Sequence, residues 1–383
     1  MLETAPGSDS PCSHPASVYV VIVNWNAWAH TLTCLESLSR LHTLAARVVV
    51  CDNGSTDGSV ERIIAWARGG LDALPADGPL RSLSHPPVPK PISHRLLREN
   101  EPYGQDQPPR LTLIQGSENR GFGAGCNLGI RYAMAHPDCR AIWLLNNDTV
   151  VHADALDALL RRLDEPNMGL CGSTLLHYDA PTRIQCQGGA RFYRAASLSR
   201  LIGKDRPLQH ALPARQVERM LDHLYGASML VSRGFIEQAG PLPEGYFLYY
   251  EEMDWTLRGG EGWRLGYAAD SLVYHRKGAS AGTGTRASRS ARASYQLGHS
   301  RLRFTRLHNP SILPVVYVLL LMEALLQALR GQGSQSRAVF RALTGTQADA
   351  TCGEEAPERR TSAWRSHPWS KPTTTDDHDA AKR

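Results

Sequence analysis

Three runs of consecutive aliphatic residues, each stopping on a cluster of Asn and Asp, constrain what this chain can fold into more than any other feature. Val18-Tyr19-Val20-Val21-Ile22-Val23 ends at Asn24-Trp25-Asn26, Ala46-Arg47-Val48-Val49-Val50-Cys51 ends at Asp52-Asn53-Gly54-Ser55, and Ala141-Ile142-Trp143-Leu144-Leu145 ends at Asn146-Asn147-Asp148. Apolar runs without polar alternation belong to strands covered on both faces, as in a parallel sheet with helices above and below. Helices expected at 31–41, 58–68, 125–135 and 153–163 alternate with these strands, and a strand-helix-strand order implies right-handed parallel crossovers. The expected class is α/β, with a mostly parallel central sheet flanked by helices. Open sheets of this kind bind ligands outside the carboxyl ends of their strands. The three polar clusters are therefore expected on one edge.

The 383 residues are enough for one such core with appendages. Lys and Arg number 42 against 37 Asp and Glu, and a formal charge of +5 is too small to argue for nucleic acid. Eight cysteines without a C-x-x-C give no zinc site or disulfide framework, which suits a reducing compartment. Residues 1–16 carry early acids and no apolar run behind basic residues, so a flexible leader and a cytoplasmic location are expected. Residues 17–300 then form the catalytic domain, interrupted at 69–110 by a proline-rich insert expected to be a mobile loop. Two short strands are expected at 264–269 and 272–275, and a loop over phosphates at 276–292. A basic and apolar helical region follows at 301–344, and a polar, disordered tail at 345–383. The apolar stretch 312–329 contains Pro314, Glu323 and Gln327, so it is marginal as a bilayer span. An interfacial amphipathic helix and a helix packed on the core fit it equally well.

Five constellations carry chemistry. Asp52 with Asn53 at a strand end can accept hydrogen bonds from a base or ribose, though the same residues suit an ordinary cap. The glycine-rich Asn119-Arg120-Gly121-Phe122-Gly123-Ala124-Gly125-Cys126-Asn127 leads into a helix and could offer amides to an anion, but it is neither a P-loop nor a dinucleotide fingerprint. Asn146-Asn147-Asp148 supplies hard oxygen ligands suited to Mg²⁺ or Mn²⁺. Glu251-Glu252-Met253-Asp254 packs three acids beside Tyr249, Tyr250 and Trp255, and acids so close raise one another's proton affinity, as a general base requires. His275, followed by Arg276 and Lys277, can add a metal ligand and charge for a leaving diphosphate.

In this order the pieces resemble the family 2 glycosyltransferases, especially the branch of rhamnosyltransferase-like and galactofuranosyltransferase-like enzymes, from about Val18 to Gly331. The resemblance implies a GT-A fold. It implies that Asn24, Asn26 and Asp52 line the nucleoside pocket and that Asn127 sits beside the donor, with Asn53, Asn147 and Arg258 also contacting the nucleotide-sugar. By the same resemblance Asp148 is the last acid of an Asp-x-Asp metal motif and His275 completes the coordination of Mg²⁺ or Mn²⁺. Glu252 matches the catalytic base, with Glu251 and Asp254 positioning it or the acceptor. The implied reaction is an inverting transfer from a nucleoside-diphosphate sugar, dTDP-rhamnose preferred and UDP-sugars next, to a bacterial cell-surface glycan or lipid-linked acceptor. The implied place is the cytoplasm, with peripheral contact at the inner face of the plasma membrane, and nucleic acid is not an expected partner. Two departures stand out: Asn146 replaces the first Asp of the metal motif, and Glu stands at the base position where Asp is frequent. Two alternatives remain at this point, a sugar-phosphate nucleotidyltransferase and a catalytically silent nucleotide-sugar-binding scaffold.

Overall fold

The computed structural model describes residues 17–43, 46–103, 107–276 and 290–345. Its strands are β1 (Ser17–Asn24), β2 (Ala46–Asp52), β3 (His94–Arg98), β4 (Leu111–Gln115), β5 (Cys139–Asn146), β6 (Thr149–Val151), β7 (Met168–His177), β8 (Ala180–Gln187), β9 (Gly189–Tyr193), β10 (Leu198–Leu201), β11 (His223–Leu224), β12 (Ser228–Ser232) and β13 (Arg264–His275). The helices are α1 (Trp28–Leu38), α2 (Ser59–Arg68), α3 (Phe122–Met134), α4 (Ala155–Leu163), α5 (Ala214–Met220), α6 (Arg233–Ala239), α7 (Glu251–Arg258), α8 (Ala291–His308), α9 (Leu313–Leu329) and α10 (Gly333–Thr344). The main sheet runs β3-β4-β2-β1-β5-β12-β7-β13-β6, with β8 beside β7, and β10-β9-β11 form a second, small sheet. β1, β2, β3, β4 and β5 pair in parallel, and the antiparallel β12 then joins them to the second half.

Successive side chains of a strand take opposite faces, and β1 is covered on both. Val18, Val20 and Ile22 pack with Leu32 and Leu35 of α1 and with Ile63 and Trp66 of α2. Tyr19 and Val21 pack with Leu128 and Ile130 of α3. The close seating of α3 explains its glycines. A Cβ at Gly125 would lie 2.8 Å from Val23 Cγ1, and one at Gly129 would lie 2.5 Å from Val21 Cγ1.

Three expectations change. The turn before α3 does not hold its amides open for an anion: Gly121 N–H donates to Asn119 Oδ1 at 3.0 Å and Phe122 N–H to the Phe247 carbonyl at 2.9 Å. The two short strands expected at 264–275 are one strand, β13, whose register with β7 shifts between Ala268 and Leu272. The insert at 69–110 is not loop throughout, because β3 adds to the sheet edge parallel to β4 and Leu80 is buried. The leader, the tail beyond 345 and most of the loop expected at 276–292 lie outside the described residues.

Glu36 on α1 ties the insert down. Its carboxylate is 1% exposed and accepts hydrogen bonds from Trp66 Nε1 at 2.9 Å, Val88 N at 2.9 Å and Lys90 Nζ at 2.8 Å. Burial pushes this carboxyl up, but the Lys90 ammonium and the two N–H donors outweigh it and hold the group below its ordinary range. A carboxylate with a lowered pKa stabilises the fold above its unfolded value, and that contribution fades as pH falls through the folded value. Glu36→Gln leaves Lys90 without its buried partner and is expected to cost about 3 kcal/mol at neutral pH. Urea unfolding should show the deficit shrinking in acid, and an undiminished deficit at low pH would exclude the ionised carboxylate as its source.

Candidate active site

The carboxyl ends of β1, β2 and β5 converge because of their pairing register, which sets Asn24 opposite Asp52 and Val23 opposite Asn146. Asn24 Nδ2 donates to Asp52 Oδ1 at 2.8 Å and to Ser55 Oγ at 3.1 Å, and Asn24 Oδ1 accepts from Thr31 Oγ1 at 2.7 Å. Asn147 Nδ2 joins this network through Thr31 Oγ1 at 3.0 Å. Ser55 N–H donates to Asp52 Oδ2, and the exposed Asn26, in left-handed backbone at φ 49°, accepts from Thr56 N–H at 2.7 Å. The side chains of Asn24 and Asp52 thus brace the floor of the edge, while Asn26 lies at its surface. Arg292 stacks over the rings of Trp25 and Phe247 at 5.3 and 5.1 Å beside them.

Asn53 and Asn127 are spent inside the protein. Asn53 Nδ2 donates to Asn119 Oδ1 and to the Gly121 carbonyl. Asn127 Nδ2 donates to the Leu242 carbonyl at 2.9 Å and to Glu244 Oε1 at 2.8 Å, and its Oδ1 accepts from Leu242 N–H. It anchors the loop that leads to α7.

The next feature depends on β13. His275, the last residue of β13, pairs with Thr149 of β6 and His177 of β7, which carries its imidazole to the residue just before Thr149. His275 Nε2 lies 3.1 Å from Asp148 Oδ1, both side chains being almost fully buried. His275 Nδ1 lies 2.7 Å from Gln185 Oε1, and its Nε2 lies 3.3 Å from Asn146 Nδ2. Asp148 Oδ1 has no hydrogen-bond donor among the described residues. An imidazole nitrogen and a carboxylate oxygen thus face one another in a buried site, and such a pair is chemically able to bind a divalent cation.

Around this pair run contacts that the sequence does not signal. Arg276 pairs with Asp77 of the insert at 2.6 Å and lies 4.0 Å over the ring of Tyr178, whose hydroxyl accepts from Asp77 N–H. These residues, with His30 of α1, line a cleft that reaches Asp148.

The acidic helix α7 enters from a turn in which Tyr249 and Tyr250 both hold left-handed backbone, at φ 72° and 73°. Bulky residues adopt it only where the surroundings enforce it, at about 1–3 kcal/mol each. Glu252 Oε1 accepts from Gly226 N–H at 3.2 Å. The turn holding Gly226 is tied to the end of β5 by Asn146 N–H donating to the Ala227 carbonyl. Tyr225 in that turn sits 6.3 Å, ring to ring, from His275, and its hydroxyl feels the charges of both Glu252 and Asp148. A single turn thus bridges the acidic pair and the Asp148–His275 pair. Asp254 and Arg258 are placed differently: Arg258 Nε faces Asp254 Oδ1 at 3.4 Å, and the same oxygen meets His308 Nε2 of α8 at 3.0 Å. Through His308, Asp254 pins α7 to α8.

Burial pushes Glu251 well above the ordinary carboxyl range, the charge of Glu252 adds to this, and Glu251 Oε2 has no partner among the described residues. Burial also raises Glu252, partly offset by the Gly226 N–H. Above the ordinary carboxyl value the unfolded chain has lost a proton that folded Glu251 keeps, so this group destabilises the fold as pH rises. Glu251→Gln is expected to flatten that fall and to raise stability at about pH 8 relative to about pH 5. Chemical denaturation at the two pH values checks it, and an equally steep fall in the variant would assign the pH dependence elsewhere.

Residues 94–212 match the family described as Glycosyl transferase family 2. Over 150 residues the chain is 26% identical to the low-salt glycan biosynthesis hexosyltransferase Agl10 of Haloferax volcanii, covering 39% of this chain and 46% of that protein. The chain thus spans about half the length of that relative. Among solved structures it is similar to GalNAc-T7 with UDP, GalNAc and Mn²⁺, at 14% identity and a TM-score of 0.51, over 85% of this chain and 54% of that one. It also aligns with the mannosyltransferase PcManGT of Pyrobaculum calidifontis in complex with GDP-Man and Mn²⁺, at 14% identity and a TM-score of 0.47, over 88% of each chain. A segment of the chain is thus similar to the family 2 glycosyltransferases, and the fold around it is GT-A-like.

Proposed function

We propose that this protein is an inverting, metal-dependent glycosyltransferase of the cytoplasm, moving a hexose from a nucleoside-diphosphate donor to a cell-surface glycan or lipid-linked acceptor. The observation that carries this reading is the turn at Tyr225 and Gly226, which sets the Glu251–Glu252 pair beside the facing Asp148 and His275. The motif resemblance favours dTDP-rhamnose as donor, with UDP-sugars next. The similar fold of GalNAc-T7, whose structure holds UDP, GalNAc and Mn²⁺, supports a nucleotide-sugar and a divalent ion in general terms.

Asp148 and His275 would hold the ion, and the nitrogen ligand favours Mn²⁺ over the harder Mg²⁺. When bound, such an ion supplies positive charge against the diphosphate. Asn24, Asn26, Asp52 and Asn147 shape the nucleoside end, and Arg276 adds fixed positive charge on the far side of Asp148. Glu252, held by the Gly226 N–H, takes the proton of the acceptor hydroxyl, with Glu251 beside it. The acceptor oxygen then forms its bond to the anomeric carbon while the bond to the diphosphate oxygen breaks and its electron pair leaves with the diphosphate. One displacement from the opposite face inverts the stereochemistry. Asp254 acts at one remove, by fixing α7 on α8 through His308, and Arg258 by bracing Asp254.

Thermal unfolding with nucleoside diphosphates and their sugars, each with and without Mn²⁺, tests the donor site, because a ligand of the native state raises the midpoint. A metal-dependent rise with dTDP or UDP compounds is expected, and it should vanish in Asp148→Ala and His275→Ala. Glu252→Gln should keep the rise and lose about 10²–10⁴-fold in transfer rate. Transfer at the parent rate by that variant would remove Glu252 as base, and a well-folded parent with no nucleotide response would overturn the donor site.

A further inference from the structure

The helix α9 is apolar apart from Glu323 and Gln327, yet only one side of it is covered. Val316, Leu320 and Ala324 pack with Leu302 of α8 and Val339 of α10. On the other side Val315, Val318, Met322, Leu325 and Leu329 recur at intervals of three and four, exposed from 47% for Val315 to 84% for Leu329, and Phe340 of α10 is 53% exposed. Soluble surfaces rarely show a contiguous apolar stripe of this length. The charge around it is one-sided. Residues 301–345 hold six arginines and one glutamate, a surplus as large as the +5 of the whole chain. Arg306, Arg330, Arg337 and Arg341 are exposed.

We propose that this face lies in the plane of an anionic lipid surface, and that the acceptor of the proposed transfer is a bilayer-anchored molecule presented there. An apolar stripe rimmed by arginines matches the acyl boundary and anionic headgroups of such a surface. Residues Pro310–Leu329 are long and apolar enough to cross a bilayer. A span would strip Val316, Leu320 and Ala324 from α8 and α10, whereas in-plane docking leaves that packing whole. A second copy of the chain fits worse, since a symmetric pairing would bring the same arginines against one another. The acceptor class follows from α8. This helix carries the platform and also grips the acidic helix, through His308 to Asp254 at 3.0 Å and Ser300 Oγ to the Leu248 carbonyl at 2.8 Å. The lipid face and Glu252 are thereby held in one frame.

The full chain is sedimented with vesicles of equal parts phosphatidylcholine and phosphatidylglycerol, and with vesicles of phosphatidylcholine alone. It should pellet with the mixed vesicles, less with the neutral ones, and less as salt screens the arginines. The Met322→Glu/Leu325→Glu double variant should stay in the supernatant, and Arg337→Gln/Arg341→Gln should bind weakly with little salt dependence. Failure of the parent to pellet with mixed vesicles, retention of binding by the glutamate variant, resistance of bound protein to alkaline carbonate, or a dimer lost in the glutamate variant would each overturn the docking. For the acceptor, a glycoside with a long alkyl anchor in the vesicles is compared with its methyl counterpart. Transfer to the anchored form should fall at least tenfold in the glutamate variant while transfer to the methyl form is unchanged, and an equal fall in both would overturn the acceptor class. This second part rests on the proposed transfer. Vesicle binding without any nucleotide-induced thermal shift would sink that reading while leaving the docking intact.

Discussion

The pairing of β13 with β6 and β7 is the constraint on which the site depends. A strand that enters the sheet far from β5 in sequence must end in register with Thr149 for His275 to face Asp148. Side-chain direction alternates along a strand, so a slip of one residue would turn the imidazole to the other face and bring Tyr274 or Arg276 into its place. The irregular register between Ala268 and Leu272 lies upstream of this point and sets the phase of the last four residues. Gln185 on β8 completes the arrangement by meeting the other ring nitrogen of His275 at 2.7 Å.

Much of the first half was legible in the sequence because its strands are buried on both faces and therefore unbroken in apolar character. The runs ending at Asn24, Asp52 and Asn146 lie where pattern reasoning put them, and the parallel pairing brings their ends together. The second half was harder to read. Tyr225 and Gln185 stand in stretches with no periodicity or motif, and their importance comes from contacts with residues many positions away. The insert misled for another reason. Its prolines mark broken local structure, while what orders it is the buried carboxylate of Glu36, which belongs to a different element.

The polar residues also divide by role in a way that residue type alone does not reveal. Asn24, Asp52 and Asn147 form one braced network, whereas Asn53 and Asn127, of the same chemistry and close in sequence to the motifs, are consumed in holding loops. The three acids of α7 separate likewise. Glu251 and Glu252 face the turn at Gly226 and the interior, and Asp254 looks toward α8, where His308, together with Arg258 on its own helix, holds it below the ordinary range in spite of burial. Helical geometry produces this split, since neighbours along a helix point in different directions.

Gly125 and Gly129 have a consequence for the depth of the nucleoside edge. Each is in contact range of a β1 valine only because it has no side chain, so α3 rests directly on the strand. The helix behaves as a gauge block: the wall carrying Asn119 and Gly121 stands at a height fixed by absent atoms, and a single added methyl group would lift it. The edge can therefore be reshaped by substitutions on its loops far more readily than by movement of the helix behind them.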